Sequence, residues 1–254
     1  MKVGIFQGGF KPFTVGHHSK LSLALQENDK VVLFYGIAAR TKGSDFKYTK
    51  EMATQIYEIV KSALQREYAG KIIIEKPFPT PIVATFSLIG AIKDGRDKER
   101  SPISQWGINP EQVEKITIYG DPESLQQFTT NVIGKKMRTG EDKEERYYGD
   151  LVKTGRLVFD DALTDDGGLE RMAQSMIACG YKNDEELEDK INVRGSQIRA
   201  MAQACDWRTF QNFLPNFLNS KEMQQVIDVM QQGIQKNTTS ENLIRSYIYE
   251  VTKW

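Results

Sequence analysis

Short runs of successive apolar residues, separated by stretches of helical periodicity, constrain most strongly how this chain can fold. The runs are Val3–Phe6, ending at Gly8-Gly9; Val31–Tyr35, ending at Gly36; Ile72–Ile74, ahead of Pro77 and Pro79; Ile116–Tyr119, ending at Gly120-Asp121; and Leu157–Phe159. Residues that are apolar at every position suit strands buried on both faces, and such strands pair in parallel beneath covering helices. Between them lie Leu21, Leu23, Ala24 and Leu25, then Met52, Ile56, Ile59, Val60 and Leu64 after Thr49, then the stretch Ile82 to Ile92. Their spacing is that of amphipathic helices. The alternation predicts an α/β fold, a doubly wound parallel five-stranded sheet with ligands at the carboxyl ends of its strands.

With 254 residues and 39% hydrophobic content, the chain can bury a substantial core. Its 34 basic residues balance its 34 acidic ones, so no global field draws it to nucleic acid or to an anionic membrane. Any anion must be met locally. Cys179 and Cys205 are too few for a disulfide framework, and the beginning of the chain has no apolar signal region; the expectation is a cytoplasmic protein. Residues 1–217 are expected to form the α/β domain, with charged insertions near 93–110 and 138–150 read as solvated loops or a lid. Residues 218–254 are read as a C-terminal helical extension, with helices at Lys221–Gln235 and Ser240–Val251, that packs on the sheet or forms a subunit contact, leaving a homo-oligomer open.

The segment Gly8-Gly9-Phe10-Lys11-Pro12-Phe13-Thr14-Val15-Gly16-His17-His18 lies where the first strand passes to the first helix. Glycines there admit a phosphate close to backbone, Thr14 can cap the helix, and a helix N-terminus offers amides and a partial positive charge. The segment reads as an anion cradle. It is not a P-loop, since Gly16 is followed by His17 and not by Lys-Ser/Thr, and no GxGxxG is present. His17 and His18 are the chain's two histidines, and an imidazole in a first helical turn can donate to a phosphate oxygen.

The pattern Gly-x-Phe-x-Pro-x-Thr-x-Gly-His, carried by Gly8, Phe10, Pro12, Thr14, Gly16 and His17, resembles the first motif of the nucleotidyltransferase superfamily, the cytidylyltransferase-like group with His-x-Gly-His or Thr-x-Gly-His. The threonine form looks most like adenylyltransferases acting on phosphopantetheine; those acting on nicotinamide mononucleotide more often have histidine there, and similar threonine-bearing proteins occur in large bacteriophages. Lys11 stands where the family often has Asp or Asn. Downstream, Val193-Arg194-Gly195-Ser196-Gln197-Ile198-Arg199 resembles the second motif, Ser-Ser/Gly-Thr-x-Ile-Arg, with Arg194 for the first Ser and Ser196 for Thr. Ser196 can donate to a phosphate at a helix start, and Arg199 offers a guanidinium fork one turn on.

The resemblance implies a Rossmann-like nucleotidyltransferase fold and transfer of AMP from ATP, with Mg²⁺, to a phosphate-bearing small-molecule acceptor such as nicotinamide mononucleotide. His17, Lys11, Thr14 and Arg199 would be catalytic. Gly8, Gly9, Phe10, Gly16, His17, Asp121, Gly195, Ser196 and Arg199 would bind the nucleotide, and Arg40 and Lys42, after the second strand, would meet the acceptor's phosphate. Asp121 resembles the family's Gly-x-Asp loop but is one residue short of it, and before Pro122 it is also a helix cap, the reading preferred here. Cytidylyl transfer from CTP to a sugar or alcohol phosphate is the first alternative; a catalytically inactive nucleotide-binding scaffold, suggested by Lys11 and Arg194, is the second. Asp160, Asp161, Asp165 and Asp166 do not have the spacing of a calcium loop and read as a solvated turn, so no protein-held metal is expected. Trp207, Phe210 and Phe213 have helical spacing and read as core.

Overall fold

The computed structural model describes residues 1–39, 48–76, 80–120, 125–126, 137–138, 145–146, 148–160, 168–183 and 185–234, with the backbone alone for 137–138, 145–146 and 185. Strands β1 (Lys2–Gly8), β2 (Lys30–Tyr35), β3 (Ile72–Glu75), β4 (Lys115–Tyr119) and β7 (Leu157–Asp160) form a five-stranded sheet in the order β3-β2-β1-β4-β7, and every pairing is parallel. This is the doubly wound α/β architecture that the alternation predicts. Two-residue strands β5 (Met137–Arg138) and β6 (Glu145–Arg146) form a separate antiparallel pair. The strand order reverses between β1 and β4, and in open parallel sheets that crevice at the carboxyl ends is where ligands bind.

Hydrophobicity decides which strands are central. β1, β2 and β4 have four or five consecutive buried residues, whereas β3 and β7 are the edge strands: β3 alternates buried and half-buried positions and β7 buries fully only Leu157. Ile73 is therefore half-buried, although its run reads as equally apolar throughout. Helices α1 (Val15–Glu27) and α2 (Lys50–Glu67) share one core with the face of β1 and β2 that carries Phe6, Leu33 and Tyr35. On the opposite face, α3 (Pro81–Asp94) covers Val3, Ile5, Val32, Phe34 and Ile118. Each helix begins where a threonine allows it: Thr49 Oγ1 accepts the Met52 amide at 3.2 Å and Thr80 Oγ1 accepts that of Val83 at 3.3 Å.

The first charged insertion exposes most of its charged residues but is anchored at a few apolar and small positions. After Gly95 closes α3 in the left-handed region (φ 68°), the chain returns along α3 and buries Ser101, Ile103 and Ile108 against it, with a Ser101–Ser87 hydroxyl contact of 3.0 Å. Of the second insertion, the described Tyr148 is buried and donates to the Phe86 carbonyl at 3.1 Å, just ahead of α4 (Gly149–Lys153).

Four further helices follow β7: α5 (Gly168–Ala178), α6 (Glu185–Asn192), α7 (Gly195–Gln203) and α8 (Trp207–Asn212). The first two went unread in the sequence; Met172, Met176, Leu187 and Ile191 pack them on Val15 and Leu23 of α1. Phe210 is buried and Trp207 and Phe213 pack against the core, as their spacing suggests. A helix over 220–234, α9, is the described part of the C-terminal extension. Its Val226, Ile227 and Met230 enter the core shared by α1 and α2, and Arg66 of α2 donates to both Glu222 carboxylate oxygens at 2.6 and 2.9 Å. The described part of the extension thus docks on the covering helix α2. The helix expected at Ser240–Val251 lies outside the described residues.

Candidate functional site

The loop between β1 and α1 is held from beneath by aromatic rings. Phe10 and Phe13 are buried, and the Phe10 ring lies 4.9 Å from the rings of Phe13, Tyr35 and His17. Phe10 therefore supports the loop as core, while Gly9 is exposed and Lys11 and His17 are half-buried. The Lys11-Pro12 bond is cis. The glycines serve different purposes. A Cβ on Gly8 would lie 2.7 Å from the Phe10 ring, one on Gly16 would lie 2.4 Å from the Ile191 carbonyl oxygen, and one on Gly9 would meet only the Lys11 side chain, at 3.5 Å. Gly16 is thus needed for α6 to approach α1, and Gly9 is the glycine whose backbone stands open.

Thr14 caps α1 together with His17. The Thr14 amide donates to His17 Nδ1 at 3.1 Å, Thr14 Oγ1 lies 2.9 Å from the same nitrogen, and the His17 amide donates to Thr14 Oγ1 at 3.4 Å. A backbone N–H can only donate, so Nδ1 is the accepting nitrogen and the neutral ring carries its proton on Nε2. The cap therefore sets the ring's tautomer and orientation. Among the first three amides of α1, that of Val15 donates to the Phe213 carbonyl at 2.9 Å and that of His17 to Thr14, leaving the Gly16 amide as the one without such a partner among the described residues.

The adjacent histidine has a different role. His18 is fully buried between α1, α2 and the segment after α5, with Nε2 2.8 Å from the Tyr68 hydroxyl, Nδ1 3.2 Å from that of Tyr181 and its ring 4.9 Å from Phe217. Burial lowers its pKa from 6.5 to about 3, so it stays neutral. Between those two values the unfolded chain binds a proton that the folded one excludes. The contribution is fully present above pH 6.5 and is lost as pH falls toward 3, at roughly 1 kcal/mol per pH unit at most. Urea midpoints should accordingly drop from pH 7 to pH 5, and drop less in His18→Gln; equal slopes in the two proteins would contradict this account.

The second motif meets the first. Arg194 precedes α7, its amide donating to Gln197 Oε1 at 2.8 Å, and Ser196 is exposed in the first turn. Arg199 points the other way: it is 5% exposed, and its Nη1 donates to the Lys11 carbonyl at 3.4 Å. A Cβ on Gly195 would lie 3.2 Å from that same Nη1, so glycine leaves room for the guanidinium to fold back over the start of its own helix. Across 188 residues of sequence, the hydrogen bond from Arg199 thus brings α7 to Lys11, in the loop that follows β1 and leads to the Thr14–His17 cap.

Arg40, Lys42 and Asp121 lie outside the described residues, as do Asp161, Asp165 and Asp166. Asp160 forms an ion pair with Arg171 at 3.2 Å. No group of three or more His, Cys, Asp or Glu side chains that could hold a metal ion occurs among the described residues, and none of their helices is long and apolar enough to cross a membrane. Sequence reasoning passed over Tyr35. It is fully buried against Phe10 and Phe13, at the end of β2 and in register with Gly8, and a tyrosine that closes an apolar run was the available signal.

No family model matches the sequence, and no curated protein matches it. Among solved structures, the chain is similar to a bifunctional NMN adenylyltransferase/ADP ribose pyrophosphatase from Francisella tularensis, with 14% identity and a TM-score of 0.35 over 82% of this chain. The chain spans 55% of the length of that protein.

Proposed function

We propose that this protein is a nucleotidyltransferase, with AMP transfer from ATP to a phosphate-bearing small molecule, nicotinamide mononucleotide among the candidates, as the first reading. A phosphate oxygen of the acceptor attacks the α-phosphorus, the bond from that phosphorus to the bridging oxygen breaks, and pyrophosphate leaves with the bonding pair. Catalysis of this kind requires alignment of two anions and stabilisation of the leaving charge, and no protein nucleophile. The observation that carries the reading is the hydrogen bond from Arg199 to the Lys11 carbonyl, in the loop that also holds the Thr14–His17 cap, because it brings a guanidinium to the segment that carries a tautomer-defined N–H donor and a lysine.

In this reading His17 Nε2–H and Lys11 meet the α-phosphate, Thr14 holds His17, and Ser196 and Arg199 meet the β- and γ-phosphates. The open Gly16 amide and the Gly9 backbone can receive a further oxygen. Mg²⁺ would enter with the triphosphate as part of the substrate. Its chemistry is to neutralise charge on the leaving pyrophosphate. Arg40 and Lys42 retain their proposed role toward the acceptor.

The test is pyrophosphate release with Mg²⁺, crossing ATP and CTP against nicotinamide mononucleotide, phosphopantetheine, FMN, glycerol 3-phosphate and phosphocholine. Release with ATP and one acceptor supports the first reading, and release with CTP replaces it by cytidylyl transfer. Nucleotide binding with silence across the grid would favour the inactive scaffold suggested by Lys11 and Arg194.

A further inference from the structure

Tyr35 presents a contradiction within the buried core. Its side chain is 0% exposed, its ring packs on Phe10 and Phe13 of the first motif and edge-on to Tyr57 at 5.3 Å, yet its hydroxyl has no hydrogen-bond partner among the described residues. An unmade hydrogen bond in a buried layer costs free energy, and phenylalanine would fill the same space without that penalty. Two other buried tyrosines are satisfied: Tyr119 donates to Glu27 at 2.7 Å and Tyr148 to a backbone carbonyl. Tyr35 differs from them in place. It ends β2 opposite Gly8, and the next residue's amide donates to the Gly8 carbonyl at 2.7 Å, so the phenol sits directly under the motif loop.

Its surroundings are suited to an anion. Tyr48, also fully buried, is close enough to interact electrostatically with Tyr35 on one side and with the Arg199 guanidinium on the other. Burial pushes both phenols above their ordinary pKa, so each remains a neutral O–H donor at physiological pH, Tyr48 beside the Arg199 cation. The geometry points to the Tyr35 hydroxyl as a ligand-contacting group of the proposed site, donating to a terminal phosphate oxygen of the bound nucleoside triphosphate near Tyr48 and Arg199. The inference rests on the transferase reading and adds to it a residue that neither motif contains. The Arg199–Lys11 hydrogen bond, at 3.4 Å near the limit of such contacts, is the one that yields when the phosphates enter.

The experiment compares wild type with Tyr35→Phe by calorimetric titration of Mg²⁺-ATP, of inorganic pyrophosphate and of AMP, alongside urea denaturation of both proteins. The expected result is a variant at least as resistant to urea as wild type that binds ATP and pyrophosphate about 10- to 100-fold more weakly, the range for a hydrogen bond to a charged group. Its affinity for AMP, which lacks the terminal phosphates, stays unchanged. Equal ATP and pyrophosphate affinities in the two proteins would overturn the inference and leave the transferase reading standing. An equal loss for AMP, or a clearly less stable variant, would also overturn it, by placing the hydroxyl at the α-phosphate or in a structural bond. Wild type that binds none of the three would overturn both.

Discussion

Replacement of His17 by alanine should leave a folded protein whose pyrophosphate release falls about 100- to 1000-fold, the usual effect of removing one donor from a site that stabilises developing charge. The prediction must be separated from a trivial one, because His17 also caps α1 through Nδ1. Loss of that cap alone costs about 1 kcal/mol, which shifts stability and not chemistry. His17→Gln provides the separation. Glutamine at the third helical position can accept the Thr14 amide as histidine does, so it keeps the cap and removes the imidazole. Turnover should collapse in both variants while the denaturation midpoint of the glutamine variant stays near that of wild type. A rate above roughly a tenth of wild type in His17→Ala would end the proposed role of His17.

Introducing a single methyl group at Gly16 should produce the largest structural effect. The Cβ of Gly16→Ala would stand 2.4 Å from the backbone carbonyl oxygen of Ile191, and a backbone atom held in α6 cannot turn aside as a side-chain end can. Overpacking of this kind costs about 1–3 kcal/mol. The displacement also reaches the site, because α6 leads within three residues into Gly195, the start of the helix that carries Arg199. We therefore expect Gly16→Ala to lower the urea midpoint and to weaken ATP binding together. Gly9→Ala, whose new methyl meets only the Lys11 side chain, should leave the midpoint unchanged. If the two variants denature alike, the close approach of α6 does not set the position of Arg199.

The contrast between these glycines shows what a loop reading can and cannot provide. Both stand in one glycine-rich segment that sequence logic treats as a phosphate cradle, and nothing in their neighbours along the chain separates them. Their difference lies in a carbonyl that arrives from residue 191. The two histidines are a parallel case. They are adjacent, but one α-helical step rotates the side chain by about 100°, which turns His17 to the loop and His18 into the core against Tyr68 and Tyr181. The sequence motif pointed to His17; that His18 belongs to the core became visible only with the packing of α2 and α5.

The alternation of apolar runs and amphipathic stretches was sufficient to establish an α/β chain with a parallel sheet, because a strand that is apolar at every position has to be covered on both faces. The sequence likewise located the cap at Thr14, since capping chemistry is a local property of the chain, and the resemblance of its two distant motifs proposed that they share one site. Helices α5 and α6 were not legible, and neither was the anchoring of the first charged insertion: Met172, Met176, Ile103 and Ile108 become core only because other elements come to meet them. The burial of Arg199, the placement of Tyr35 beneath the motif loop and the docking of α9 on α2 were decided by tertiary structure alone. Burial and desolvation are properties of the assembled layers, and no window along the chain contains them.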